Sequence, residues 1–180
     1  MVSGQWSVVK KNGFTLVELL VYTAILSMVL VLAVTFVMSV LEATVKSTAK
    51  EEVQANAAAI IQLFDTTVRH SQSVYDRTSD FIGDPGQLSL LSVRDLPPEE
   101  SESYVDIYAD DGKFCVKREF YGVSCASSSK TELTSLTFRE ITQAGGAESV
   151  QMIFTIRYKS PKSEYYFTET YQVSARVRPY

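Results

Sequence analysis

From Phe14 to Leu41 the chain reads FTLVELLVYTAILSMVLVLAVTFVMSVL, and Glu18 is its only charged residue. As a helix, 28 residues at about 1.5 Å each extend roughly 42 Å, more than a hydrocarbon core of about 30 Å. The run is too apolar all round to be the half-buried helix of a soluble domain. It also exceeds the roughly 7–15-residue apolar stretch of a cleaved secretory signal. No second run of this kind follows, which excludes a polytopic membrane protein. Taken on hydropathy alone, the segment reads as a single signal anchor. Lys10 and Lys11 precede it and Lys46 and Lys50 follow it, so only the closer spacing of the first pair favours a cytoplasmic N-terminus.

Glu18 is the anomaly in this run. A carboxylate deep in lipid would be costly or would go neutral. Near a helix start it can reach the interface and gain from the helix dipole. Alternatively it needs a cationic partner in an assembly, and a new α-amino group at Phe14 would serve if the chain were cut just before that residue.

The segment Lys10-Lys11-Asn12-Gly13-Phe14-Thr15-Leu16-Val17-Glu18-Leu19-Leu20 resembles the class III signal of type IV pilins and pseudopilins. That pattern is a short basic leader ending in Gly, then Phe, then Glu at the fifth mature position, then a long apolar helix. The resemblance is strong over about the first 40 residues and holds only as an architecture beyond them. It implies cleavage after Gly13 by a membrane prepilin peptidase and N-methylation of Phe14. It also implies an assembly role for Glu18, neutralising the α-amino group of a neighbouring subunit. Glycine suits the cleavage site because, lacking Cβ, it lets a protease approach the backbone.

Many major pilins carry Gly and Pro within this helix, whereas here none occurs between Phe14 and Ile82, and Ser27 and Thr35 stand in the corresponding region. The resemblance therefore points to a minor pilin or a pseudopilin, similar to J-type pseudopilins or W-type minor pilins. Such a chain is a non-enzymatic subunit of a type IV pilus, competence or type II secretion filament. Its implied partners are other pilin or pseudopilin subunits, the prepilin peptidase/methylase, the inner-membrane assembly machinery and membrane lipid. It would sit in the cytoplasmic membrane with its head outside, and then in the filament. A signal-anchored extracytoplasmic receptor or enzyme is the rival reading, in which the protein keeps Met1.

The helical period continues past the run. Val45, Ala49, Val53, Ala57, Ile60, Ile61, Phe64 and Val68 share one broad face, and the helix is expected to end between His70 and Tyr75. After Gly86 the period becomes two. Strands are expected over 87–93, 104–109, 113–120, 133–141, 150–158 and 165–177, with Asp110-Asp111-Gly112 as a hairpin turn. The stretches at Pro97-Pro98, Ser127 to Ser129 and Ala144-Gly145-Gly146 read as loops. Short connections favour antiparallel pairing, so the fold class is α+β: a long N-terminal helix laid on an antiparallel sheet. The expected organisation is a leader at 1–13, a transmembrane and assembly half-helix at 14–41, an amphipathic half-helix at 42–75 and a β-rich head at 76–180.

Cys115 and Cys125 would face each other across a hairpin centred near Phe120. A cross-strand disulfide is the expectation for a head outside the cytoplasm, and two reduced core cysteines the alternative. One His and two Cys are too few for a closed Cys/His zinc site. Asp106, Asp110 and Asp111 break the EF-hand spacing and suit a hairpin better than calcium. No nucleophile elbow, phosphate loop or zinc-protease motif is present. Neither a catalytic residue nor a cofactor is expected. The net charge of −4 argues against a nucleic-acid partner, which normally meets a basic excess. The late tyrosines, Tyr158, Tyr165, Tyr166, Tyr171 and Tyr180, suit half-buried strands.

Overall fold

The structure is a computed structural model that describes residues 13–93, 96, 99–126, 128–141, 148–160 and 166–178. The leader before Gly13, the Pro97-Pro98 and Ala144-Gly145-Gly146 loops, Ser127, Tyr165 and Tyr180 lie outside the described residues. One helix, α1 (Leu16–Arg69), is followed by eight strands among the described residues. The chain divides after Thr44 into two units.

In the first unit every large apolar side chain from Phe14, just before α1, to Leu41 is exposed. Its serine and threonine hydroxyls bond their own helix backbone. Thr23 and Ser27 donate to the carbonyls of Leu20 and Ala24, and Thr35 donates to those of Val31 and Leu32. Ser39 and Thr44 donate to the carbonyls of Thr35 and Val40. A helix in lipid must satisfy its polar groups in this way, because no water is at hand. The helix is long and apolar enough to cross a membrane.

In the second unit α1 becomes one-faced. Ala49, Val53, Ala57, Ile60, Phe64 and Val68, spaced by three or four, are all buried, whereas Val45 remains exposed. This stripe packs on two antiparallel sheets, where a single sheet was expected. The five-stranded sheet runs β1 (Ser73–Val74), β2 (Leu88–Ser92), β3 (Ser103–Asp110), β4 (Lys113–Arg118) and β5 (Gly122–Ala126), each strand beside the next. The three-stranded sheet runs β6 (Thr131–Glu140), β7 (Ser149–Tyr158) and β8 (Thr168–Arg176). The fold is α+β.

Alternation builds the core. Leu88 and Leu90 of β2, Val105 and Ile107 of β3, and Phe114 and Val116 of β4 face the same core as Leu136 and Phe138 of β6 and Met152, Phe154 and Ile156 of β7. Phe64 of α1 stacks on Phe138, ring centroids 6.4 Å apart. The β3–β4 turn is Asp111-Gly112, with φ of 46° and 67° and Asp110 paired to Lys113. Two positive φ values define the turn whose twist fits a two-residue hairpin.

The β6–β7 register shifts between Leu133 and Ser135. Thr131 and Leu133 are buried before the shift, and Leu136 and Phe138 after it. An unshifted strand would turn the second pair outward, so the extra residue keeps both on the core. The loop before β2 clasps this point. Asp84 accepts hydrogen bonds from Ser135 Oγ at 2.7 Å and Leu136 N at 2.9 Å, and Gly86 N donates to Leu136 O at 2.7 Å. Only glycine fits at 86, since a Cβ there would lie 2.8 Å from the Asp80 carbonyl oxygen. On α1, Lys130 pairs with Glu52 at 2.6 Å, and Asn56 Oδ1 accepts from Ser128 N at 2.8 Å.

Candidate functional site

The motif residues cluster where α1 begins. Thr15 precedes the helix, and its Oγ1 accepts the Glu18 N–H at 3.3 Å. Thr15 is thus the N-cap, and Glu18 stands at the third helical position. Thr-x-x-Glu is the spacing of a capping box. The carboxylate, however, is turned along the helix, where its Oε1 accepts from the Tyr22 hydroxyl at 3.4 Å. The Tyr22 ring also meets Phe14 edge-on, with centroids 5.8 Å apart. Phe14, Glu18 and Tyr22 therefore lie on one side of the first two turns, all exposed, with Phe14 71% accessible.

Tyr22 and Thr15 escaped the sequence reading. The signals were there: Tyr22 is four residues from Glu18, the spacing at which helical side chains meet, and Thr15 is three before it.

Among the described residues nothing packs closely on Gly13. A Cβ added there would meet no described atom within 4 Å. Whatever requires glycine at this point is outside the described fold.

In the second unit, Cys115 of β4 and Cys125 of β5 are directly opposite in register and are joined as a disulfide. The bridge lies between strands of one hairpin, and β5 is the edge of its sheet. Beyond the bridge, Phe120 and Tyr121 stand exposed with rings packed edge-on at 5.3 Å. Asp106 accepts from Ser89 Oγ at 2.6 Å, Asp110 closes the β3–β4 ladder and Asp111 makes its turn. These three aspartates thus have structural work in the hairpin. Among the described residues no three His, Cys, Asp or Glu side chains are grouped to hold a metal. Tyr171 is pushed up to about 12 by burial and by its hydrogen bond to Glu169.

The geometry at the helix start coincides with a family match. The model of the prokaryotic N-terminal methylation motif matches residues 9–34. That motif is the class III prepilin signal, and the match is consistent with the type IV pilin and pseudopilin family. No curated protein and no solved structure matches the chain significantly. The motif supports a type IV pilin-like processed protein, and it suggests a structural subunit, not an enzyme. It implies processing by prepilin peptidase and assembly with other pilins, and with the apolar helix it fits a membrane-anchored protein.

Proposed function

We propose that this chain is a minor structural subunit, a minor pilin or pseudopilin, of a type IV pilus, competence or type II secretion filament. Residues 1–13 are its leader, removed after Gly13, and Phe14 becomes the methylated N-terminus. Residues 14–41 cross the membrane and then join the helix bundle of the filament. Residues 42–75 and 76–180 carry the head outside the cytoplasm. Glu18 neutralises the α-amino group of an adjacent subunit.

The observation that carries this reading is the matched motif at residues 9–34, with one carboxylate on an otherwise uncharged and exposed helical run. Gly13 supports it, because the described fold gives no reason for a glycine there. The absence of Gly and Pro from 14 to 82 supports a minor subunit, since the helix has no built-in breaker.

The test is the N-terminus of the protein extracted from membranes of cells that hold a prepilin peptidase. Mass spectrometry is expected to find methylated Phe14, and Gly13→Val is expected to leave the leader attached, since a branched Cβ crowds the protease. An intact Met1 in the wild type would favour the signal-anchored receptor or enzyme.

A further inference from the structure

We propose that the cleft between the C-terminal end of α1 and strands β2 to β4 binds a carboxylate. The cleft has a volume of about 210 Å³, and Thr67, His70, Ser71, Ser92, Ser103 and Arg118 line it. Thr67 is 5% exposed, and its Oγ1 is buried without a hydrogen-bond partner. Along the same helix Thr23, Ser27, Thr35, Ser39 and Thr44 each satisfy their hydroxyl on a carbonyl three or four residues back. Thr67 does not, and a buried orphan hydroxyl is costly unless something in the cleft bonds it.

The charge of the cleft selects the ligand. Arg118 lies half-buried near the end of β4, and its guanidinium makes no ion pair among the described residues. No carboxylate lines the cleft among those residues. Arg69, the residue before His70, is already held by Asp65 at 2.7 Å. The planar fork of an unpaired guanidinium fits a carboxylate with two parallel hydrogen bonds.

A cation is repelled by Arg118. A phosphate dianion would carry its second charge toward the carbonyl end of α1, where negative charge is disfavoured. That end offers few bare acceptors, because His70 N, Ser71 Oγ and Ser71 N already bond the carbonyls of Thr66, Thr67 and Val68. The orphan Thr67 hydroxyl can then donate to the oxygen that Arg118 orients. A free small acid and a protein chain present the same carboxylate, and the chemistry of the cleft is the same for both.

The chain holds a single histidine, and it lines this cleft. Histidine-labelled full chain, purified in detergent with a histidine-free tag, thus gives one ring signal that reports occupancy by NMR. Acetate, acetamide and a short peptide with a free or amidated C-terminus are titrated at constant pH and ionic strength. Acetate is expected to shift the His70 signal saturably, and acetamide is not. Arg118→Gln should weaken acetate by about tenfold or more, the effect of losing one good charge-assisted pair. Arg118→Lys should be intermediate. Thr67→Val should weaken binding several-fold while leaving the melting temperature unchanged or raised.

Tighter binding of the free-acid peptide than of acetate assigns the carboxylate to a protein chain, and equal binding assigns it to a small acid. No saturable shift, an equal response to acetamide, or unaltered affinity in a folded Arg118→Gln protein would overturn the proposal and leave a water-filled cleft.

Discussion

Replacing Glu18 by alanine separates a residue that merely starts a helix from one that an assembly requires. In the isolated chain the loss is small. The carboxylate has one exposed partner, the Tyr22 hydroxyl at 3.4 Å, a helical pair of a kind that contributes about 0.2–0.5 kcal/mol. Its place in the first turn adds about 0.3–1 kcal/mol with the helix dipole. The backbone bond from Glu18 N to Thr15 Oγ1 survives the substitution. Membrane insertion should be unimpaired, because the run becomes more apolar.

In a filament the sum is different. A neighbour's α-amino group would be buried among helices with no carboxylate, at about 3–5 kcal/mol for a broken buried pair. At about 1.4 kcal/mol per factor of ten, that is a loss of roughly two to three and a half orders of magnitude in incorporation. Glu18→Asp keeps the charge, loses reach and should fall between. The assay is the amount of this protein in sheared filaments, or crosslinked to partner subunits, relative to total membrane protein. Cleavage after Gly13 is followed in parallel as a control. Equal incorporation and equal crosslinking of wild type and Glu18→Ala would refute the reasoning and reduce Glu18 to a helix-start residue.

Three further outcomes are expected. Replacing Cys115 and Cys125 by serine opens a ten-residue separation, for which the chain-entropy estimate is about 3 kcal/mol; thermal melts should show a lowered Tm, and free thiols in the denatured, unreduced wild type would remove the basis of the claim. Phe64→Ala empties a fully buried site stacked on Phe138 and should cost about 3–5 kcal/mol, read by denaturant unfolding of the full chain, while a loss below 1 kcal/mol would mean α1 does not organise the two sheets. The N–H groups of Gly83 and Ile82, at 2.9 and 3.0 Å, hold the Asp80 carboxyl below the ordinary carboxylate value. A depressed folded pKa contributes stability above the unfolded value of about 3.9 and loses it as pH falls through the folded one. The Ile82 and Gly83 amide signals should therefore titrate with a midpoint below the ordinary carboxylate value of about 3.9, and a transition centred at or above pH 4 would contradict this.

The helix and its motif were legible in the sequence because their determinants are local. Gly13, Phe14 and Glu18 lie within six residues, and the apolar run and the later stripe through Ala49, Val53, Ala57, Ile60, Phe64 and Val68 are periodic along one element. The Asp111-Gly112 turn was legible for the same reason, since two left-handed residues are a local demand. Strand β5 was not assigned, because Gly122 to Cys125 are all exposed and leave no alternation to read. Backbone pairing with β4 and the disulfide hold it instead.

Only tertiary structure divided the strands into two sheets. That choice depends on which backbones pair once the α1 stripe is covered, and short antiparallel connections permit both arrangements. The shift in β6 was hidden likewise, because Asp84 and Gly86 clasp it from about 50 residues away in the sequence. The cleft that joins Thr67 to Ser103 and Arg118 has the same origin. Its side chains are ordinary one by one, and their combined chemistry exists only where folding brings the end of a helix against the ends of three strands.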